Sequence, residues 1–270
     1  MEIAEIIKDS LKYPISNVMA LGVYILLMFF TSVCAIIGIF ASSYHFAIAS
    51  SIITIISLVI ALIINGYEFQ IISLGIDKSD NPPHLDPSRN LIDGILLIVV
   101  RIVYYVIPAV ITLAVAYITG VFDAFAEIGY YIFYESFNES IMTNSTAIIS
   151  SIPQELIANL VGPLAITAIA GVIVFVIFAF VETIGECRLA KTGNLGHALN
   201  IIDAFKDIPK IGTVKLIAVV VLVVVISLII AAILGIIAYY VPVLGILSII
   251  VNPYVLFFSN RAAGLLYSDV

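Results

Sequence analysis

The sequence predicts an all-α fold: a polytopic bundle of six transmembrane helices, with amphipathic helices at the membrane interface. Three observations predict it. Hydrophobic residues make up 63% of the chain and charged residues only 11%, with a mean hydropathy of +1.22, whereas a soluble domain is about half apolar and a quarter charged. Six apolar runs are long enough to cross a bilayer. Every Lys and Arg falls at one end of these runs.

The spans follow from length and hydropathy, because crossing the hydrocarbon core takes about 20 mostly apolar residues. The last run is the shortest and contains Asn252 and Pro253, where the missing proline donor predicts a kink or break. The whole chain, residues 1–270, is then a single membrane domain. The predicted spans are residues 18–40, 46–64, 95–119, 160–181, 216–240 and 243–258.

The basic residues predict the orientation. None lies in the connections at residues 41–45 and 120–159, which would be on the outer side. Because cytoplasmic connections carry an excess of Lys and Arg, both termini are predicted to be cytoplasmic, in a multi-pass protein of the cell membrane. The 11 basic residues are Lys8, Lys12, Lys78, Arg89, Arg101, Arg188, Lys191, Lys206, Lys210, Lys215 and Arg261.

Residues 1–13 are predicted to form an amphipathic helix in the inner membrane interface, ended by Pro14. We interpret this helix as an anchor before the first span rather than as a targeting signal. Its apolar face would carry Ile3, Ile6, Ile7 and Leu11, and its polar face Glu2, Glu5, Lys8, Asp9 and Lys12.

The cytoplasmic connection at residues 185–213 is predicted to contain a second interfacial helix, with Asn194 as its cap. Its apolar residues recur at helical spacing and would cover the inner end of the bundle. They are Leu195, Ala198, Leu199, Ile202 and Phe205. The residues expected to face water are His197, Asn200, Lys206 and Asp207.

The long outer connection at residues 120–159 is acidic and aromatic. An acidic helix is repelled by anionic lipid, so packing across the outer ends of the spans is expected. Asn138 and Asn144 each match the N-glycosylation pattern on the predicted outer side, although such triplets are common by chance. The phenylalanines that would line one helical face are Phe122, Phe125, Phe133 and Phe137.

Three stretches carry a resemblance to a known family. They are Ser10 to Pro14, Gly66-Tyr67 followed by Leu91 to Gly94 and then by Tyr104-Tyr105 and Pro108, and Arg261 to Tyr267. Together they resemble the largely archaeal membrane family known as domain of unknown function 4013. The resemblance implies an all-helical polytopic bundle and carries no activity, cofactor or site. Gln70 departs from the pattern, because a basic residue is expected there, and the outer connection is longer than usual.

The sequence contains none of the usual catalytic or metal-binding spacings. The histidines are isolated, no phosphate-binding glycine loop occurs, and a net charge of -7 argues against nucleic acid. Cys34 and Cys187 are interpreted as separate, inert thiols. We therefore expect no enzyme activity, no cofactor and no metal.

Small and polar residues repeat along the second span at helical spacing. Such a stripe favours close helix packing, and a solute pathway is the alternative. The stripe consists of Ser50, Thr54, Ser57, Ala61, Asn65 and Glu68.

Five polar residues near the cytoplasmic ends of three spans form the candidate functional cluster. A charge left in lipid costs about 2.5 to 3.5 kcal/mol, so Arg101 is predicted to point inward. We expect Glu182 as its main partner and Glu68 or Glu186 as its second; snorkelling to the interface is the alternative. The cluster is Asn65, Glu68, Arg101, Glu182 and Glu186.

Two functions remain open at this level. The first is a non-catalytic protein that organises membrane lipid or partner proteins, either as a homo-oligomer or with another membrane protein. The alternative is a small-solute or ion transporter that uses the inner polar cluster, with proline-interrupted spans at Pro108 and Pro253. An intramembrane enzyme ranks third.

Overall fold

The computed structural model describes residues 1–138 and 152–270, and this part of the chain is helical without strands. Among the described residues, Pro242–Leu247 is a 3₁₀-helix and the other helices are α-helices. In chain order the α-helices are α1 Ile3–Ser16, α2 Val18–Ser43, α3 Ala47–Ile76, α4 Pro87–Thr119, α5 Val121–Asn138, α6 Gln154–Thr192, α7 Leu195–Ala198, α8 Ile201–Ile211, α9 Thr213–Tyr240 and α10 Ser248–Tyr267.

Six membrane-length apolar helices are present in the described part of the chain, which confirms the predicted number. They are α2, α3, α4, α6, α9 and the segment Pro242–Tyr267. Several are longer than the apolar runs, and α6 has 39 residues, or about 58 Å at 1.5 Å per residue. The hydrocarbon core is only about 30 Å thick, so polar turns continue these helices beyond it.

The prolines interrupt the helices less than predicted. α10 continues through Pro253, and the irregular backbone lies earlier, at Pro242–Leu247. Pro253 is in the second turn of α10, where it removes one helical hydrogen bond. α4 likewise runs through Pro108. α1 passes Pro14 and ends at Ser16, where the backbone N–H of Asn17 caps it by donating to Tyr13 O.

The chain forms two compact units. The larger contains Met1–Ile102 and Phe180–Val270, and the smaller is Val103–Ala179. In the larger unit an aromatic core joins α2, α3 and α10: the Tyr24 ring centroid lies 6.2 Å from that of Tyr67 and 5.4 Å from that of Phe257. These three side chains are almost completely buried.

This core lies at the end of the spans that carries the basic residues. In α3 the buried side chains all fall between Ile64 and Ile76, whereas Ile48 and Ile55 near its other end are exposed. In α2 burial also decreases from one end to the other, since Tyr24 is buried and Phe40 is exposed. The exposed apolar ends suit contact with lipid, and the larger unit is closely packed mainly at its basic end.

In the smaller unit, α4 and α6 meet through a hydroxyl pair, with Thr119 Oγ1 2.9 Å from Thr167 Oγ1. Helix α5 confirms helical structure after residue 120, but between Val121 and Tyr134 the buried residues are Val121 and Ala124. Of the phenylalanines expected to pack, Phe122 and Phe125 are about half exposed. Small side chains permit closer helix contact than the phenylalanines do.

The connection at residues 185–213 also differs from the prediction. It contains two helices, α7 and α8, because Asn200 starts a new helix by accepting a hydrogen bond from Asp203 N at 3.2 Å. Asn194 caps α7 as expected. The face of α8 that is buried holds Ala204 and Asp207, so Asp207 does not face water. Conversely, Ile202 and Phe205 are exposed.

Glycines permit two close helix contacts in the larger unit. A Cβ atom on Gly66 of α3 would overlap the backbone carbonyl of Asn90 in α4. Between α3 and α10, a Cβ on Gly75 would lie 2.9 Å from Gly264 Cα. Neither obstacle is a flexible side chain, so backbone would have to move.

We predict that Gly66→Ala and Gly264→Ala each lower the free energy of unfolding, by about 1–3 kcal/mol as in other overpacked interiors. Thermal unfolding in detergent measures the loss. Gly22→Ala in α2 is the matched control, since its Cβ would meet nothing within 4 Å and alanine favours helix. Equal behaviour of all three variants would contradict the close contacts.

The orientation remains a prediction from charge, and cysteine labelling tests it. In a background of Cys34→Ala and Cys187→Ala, we place single cysteines at the exposed Tyr44 and Asp77, at opposite ends of α3. A membrane-impermeant maleimide added to sealed cells should label position 44 and leave position 77 unlabelled until the membrane is opened. The reverse pattern would place both termini outside.

Candidate intramembrane polar cluster

Four side chains from three helices meet in what we call the polar cluster: Asn65 and Glu68 of α3, Arg101 of α4 and Glu186 of α6. Asn65 and Glu68 are three residues apart and therefore share a helix face. Tyr24 of α2 borders the cluster. All five residues belong to the larger unit.

The guanidinium of Arg101 is the centre of the polar cluster. Its Nε donates to Glu186 Oε1 at 2.6 Å, and its Nη1 donates to Asn65 Oδ1 at 2.7 Å. Its Nη2 lies 3.8 Å from Glu68 Oε2, which is an ion pair without a close hydrogen bond. Charged hydrogen bonds of this kind are about twice as strong as neutral ones, so Arg101 ties α4 to α3 and α6.

Two further contacts orient the α3 side chains. Asn65 Nδ2 donates to Ala61 O at 2.8 Å, so its carbonyl oxygen faces Arg101. The phenol of Tyr24 donates to Glu68 Oε1. Tyr24 is 1% exposed and Glu68 8%, so this carboxyl group is held in a largely water-free environment.

The pairing corrects one prediction. Glu186, and not Glu182, is the main partner of Arg101; Glu182 lies one turn away and adds a weaker electrostatic attraction. Both glutamates are on the same face of α6, so their spacing could not decide between them. The axial position of α6 against α4 decides it. Because Arg101 contacts side chains of two other helices, its guanidinium is paired inside the bundle rather than snorkelling to the interface.

A cavity of about 160 Å³ borders the polar cluster, between α6, α9 and α10. Glu186 lines this cavity and also binds Arg101. Asn260 lines it too, and its amide Nδ2 is buried without a hydrogen-bond partner among the described residues. Leaving a buried donor unpaired costs about 1–3 kcal/mol, so the cavity suits a polar occupant. Its other polar lining residues are Thr183 and Ser259.

The N-terminal part of the small-residue stripe on α3 faces α2. Ser50 Oγ donates to Gly38 O at 3.3 Å, and Ser50, Thr54 and Ser57 line a space of about 360 Å³ beside α2. The inner members, Asn65 and Glu68, belong to the polar cluster. The stripe is therefore a helix contact at one end and a charged site at the other.

From the sequence, Arg261 served as evidence for orientation and as part of a family motif but not as a site residue, yet this side chain is completely buried. It donates to Asp9 Oδ1 at 2.9 Å and to Ser79 O at 2.6 Å, and stacks over the Tyr13 ring at 4.6 Å. Burial raises the pKa of the Tyr13 phenol to about 12. The signal in the sequence was the motif Arg261 to Tyr267, whose physical role was not evident.

Asp207 is a second buried charge, although the sequence predicted that it faces water. Its carboxylate accepts hydrogen bonds from Arg188 at 2.6 Å, Lys210 at 2.7 Å and Tyr267 at 2.7 Å. Burial acts to raise the pKa of Asp207, but these three donors outweigh it and hold the pKa below its usual range. The carboxylate therefore stays charged and joins α8 to α6 and α10.

Other predicted site residues can be placed only in part. Asn138 is the last residue of α5, and Asn144 lies outside the described residues, so neither glycosylation prediction is tested. Among the residues described, no group of three His, Cys, Asp or Glu side chains could hold a metal ion. Cys187 is buried and contacts Ala263 O, and Cys34 lies elsewhere, in α2.

Six apolar helices of membrane length, several of them linked by buried charged side chains, define a polytopic helical membrane protein. The profile of the family described as protein of unknown function (DUF4013) matches residues 49–239, more than half of the chain. The chain belongs to this family, which confirms the resemblance seen in the sequence. No curated protein and no solved structure matches it significantly.

The motif stretches behind the resemblance converge on one end of the larger unit. Tyr67 OH donates to Ala20 O at 3.2 Å, and Gly66 contacts Asn90 as described above. Gln70, which departs from the family pattern, also forms a hydrogen bond here: its Nε2 donates to Asn90 Oδ1 at 2.8 Å. The first and last stretches lie outside residues 49–239, yet Tyr13 and Arg261 stack on each other.

We predict that Arg101 and Glu186 are energetically coupled. In a double-mutant cycle of Arg101→Leu, Glu186→Leu and both together, the double variant should lose about 1–3 kcal/mol less than the sum of the single losses, because each single change leaves a partly or fully buried charge without its partner. Thermal unfolding in detergent measures each loss. The matched cycle uses Glu182→Leu, for which the coupling should be smaller. Additive losses for Glu186 would contradict the pairing.

Proposed function

We propose that this chain is a non-catalytic small-solute or ion transporter, with the polar cluster as the site that binds a proton or a small cation. The observation that carries the proposal is the charge balance of the cluster. Two carboxyl groups, Glu68 and Glu186, converge on the single guanidinium of Arg101. Glu182 adds a third acidic group nearby.

An excess carboxylate away from water is unfavourable unless a positive charge accompanies it. Arg101 makes its short contact with Glu186, whereas Glu68 is left with the phenol of Tyr24 and a 3.8 Å ion pair. Glu68 is therefore the member of the cluster that a proton or cation would neutralise. Ionisable residues inside transmembrane bundles commonly mark ion and proton pathways.

The adjacent cavity supports the same proposal. Glu186 gives it a negative wall, while Asn260, Thr183 and Ser259 supply groups that can hydrogen-bond a small polar solute. A ligand there would contact the same carboxyl group that binds Arg101. Binding in the cavity and the charge state of the cluster would thus be linked.

The membrane placement belongs to the proposal as well. With the basic residues on the cytoplasmic side, the polar cluster would lie toward the inner leaflet of the cell membrane, with both termini in the cytoplasm. The predicted proline interruptions do not support transport, because α4 and α10 are continuous through Pro108 and Pro253. The support comes from the charges of the polar cluster and from the adjacent cavity.

A second candidate function is the organisation of lipid or partner proteins, including a further copy of this chain. Its supporting observation is the aromatic surface of α5. Such side chains suit a membrane interface or an aromatic partner surface. The exposed aromatic residues are Phe122, Phe125, Tyr130, Phe133 and Tyr134.

Ion-dependent stability tests the transport proposal first. At fixed ionic strength, one of three changes should stabilise the purified protein: sodium in place of choline, potassium in place of choline, or a lower pH. The ion that the polar cluster binds, Na⁺, K⁺ or H⁺, would favour the folded state. A bound ion at about ten times its dissociation constant adds ~1.4 kcal/mol. Glu68→Gln should abolish the dependence, because the amide lacks the charge. The control is Glu127→Gln, on an exposed glutamate of α5.

Flux measurements complete the test. In proteoliposomes with a trapped pH-sensitive dye or radioactive sodium or potassium, an imposed membrane potential should drive uptake of the stabilising ion. Glu68→Gln should reduce uptake to the level of protein-free vesicles, and Glu127→Gln should leave it intact. Ion-independent stability together with no uptake would reject transport and favour the organising function.

A further inference from the structure

A large apolar groove lies between α1 and the helices α9 and α10, with a volume of about 840 Å³. We propose that this groove binds an anionic phospholipid, with its acyl chain along the groove and its phosphate at Lys8 and Lys12. This site is separate from the polar cluster and does not depend on the transport proposal. The apolar residues that line the groove include Ile3, Ile7, Leu11, Ile15, Leu222 and Tyr254.

α1 has three faces, and only one of them is covered by protein. Ile6, Ser10 and Tyr13 are buried, and α1 is held to α10 by Tyr254 OH, which donates to Leu11 O at 2.8 Å. A second apolar strip runs beside this buried face and lines the groove. At its far end, Ile15 is 65% exposed.

The third face of α1 supplies positive charge at the edge of that strip. Lys8 and Lys12 both line the groove and are one helical turn apart. Neither forms an ion pair with any residue that the structure describes, and both side chains are exposed. Two unpaired ammonium groups beside an apolar channel match the chemistry of a phosphate attached to an acyl chain.

The acidic residues next to these lysines are engaged elsewhere. Asp9 accepts from Arg261 Nε at 2.9 Å, and Glu5 Oε2 accepts from the backbone N–H of Glu2 at 2.9 Å. Neither carboxylate forms an ion pair with Lys8 or Lys12 among the residues that the structure describes. Since Lys8 and Lys12 belong to the basic end of the spans, the positive-inside rule places them at the cytoplasmic leaflet, where anionic lipids attract basic interfacial helices.

Because the chain contains no tryptophan, a single introduced tryptophan reports on one position, and its fluorescence can test the proposal. Ile15→Trp puts one fluorophore in the groove, and Ile36→Trp puts one on the exposed surface of α2. Each variant of the full chain is reconstituted in phosphatidylcholine vesicles containing a minor fraction of brominated phosphatidylglycerol or brominated phosphatidylcholine. Bromine quenches tryptophan on contact, so quenching reports which lipid occupies each position.

We expect phosphatidylglycerol to quench the Ile15→Trp reporter more strongly than phosphatidylcholine, and both lipids to quench the Ile36→Trp reporter equally. Each of Lys8→Gln and Lys12→Gln should weaken the preference about fivefold, since a lysine near an anionic surface contributes about 1 kcal/mol and 1.4 kcal/mol is tenfold. The control Lys206→Gln, also on the basic side, should leave it unchanged.

Equal quenching by the two lipids at position 15 would overturn the proposal, as would a preference that survives the double variant Lys8→Gln/Lys12→Gln. Absence of quenching by either lipid would show that protein, such as a second copy of the chain, covers the groove, and this also overturns it. The double variant Lys8→Arg/Lys12→Arg should retain the preference. Its retention separates a charge effect from a disturbed helix.

Discussion

The buried guanidinium of Arg261 is the interaction on which the larger unit depends. Removing a charge from water is expensive unless its donors are satisfied, and here Asp9, Asp80 and the backbone carbonyls of Leu74 and Ser79 accept from it. One side chain of α10 thus fixes α1, the end of α3 and the connection that follows α3. Few alternative arrangements of these segments would supply the same four hydrogen bonds.

The polar cluster depends on this arrangement. Arg261 holds the end of α3 against α10, where Gly75 and Gly264 allow backbone contact, and α3 in turn presents Asn65 and Glu68 to Arg101. A shift of α3 by one turn would replace both partners. The aromatic core of α2, α3 and α10 lies in the same part of the unit, so packing and charge pairing constrain the same helices.

The dense basic end and the loosely packed opposite end have different roles in this view. Buried charges such as Asp207 join segments at the basic end, where water is excluded and the pairing is strong. At the opposite end the side chains of α2 and α3 are largely exposed, and lipid is their expected neighbour. Both proposed binding sites, the polar cluster and the α1 groove, belong to the basic end.

Composition and periodicity alone determined that the chain is a six-span helical membrane protein, because hydropathy over about 20 residues depends on no distant contact. They also identified Arg101 and its acidic neighbours as a candidate cluster. Only the tertiary structure decided that Glu186 is the partner rather than Glu182, that Asp207 is buried, and that Arg261 organises the basic end. Those outcomes depend on the axial offset and rotation of helices against one another, which a pattern along one helix does not contain.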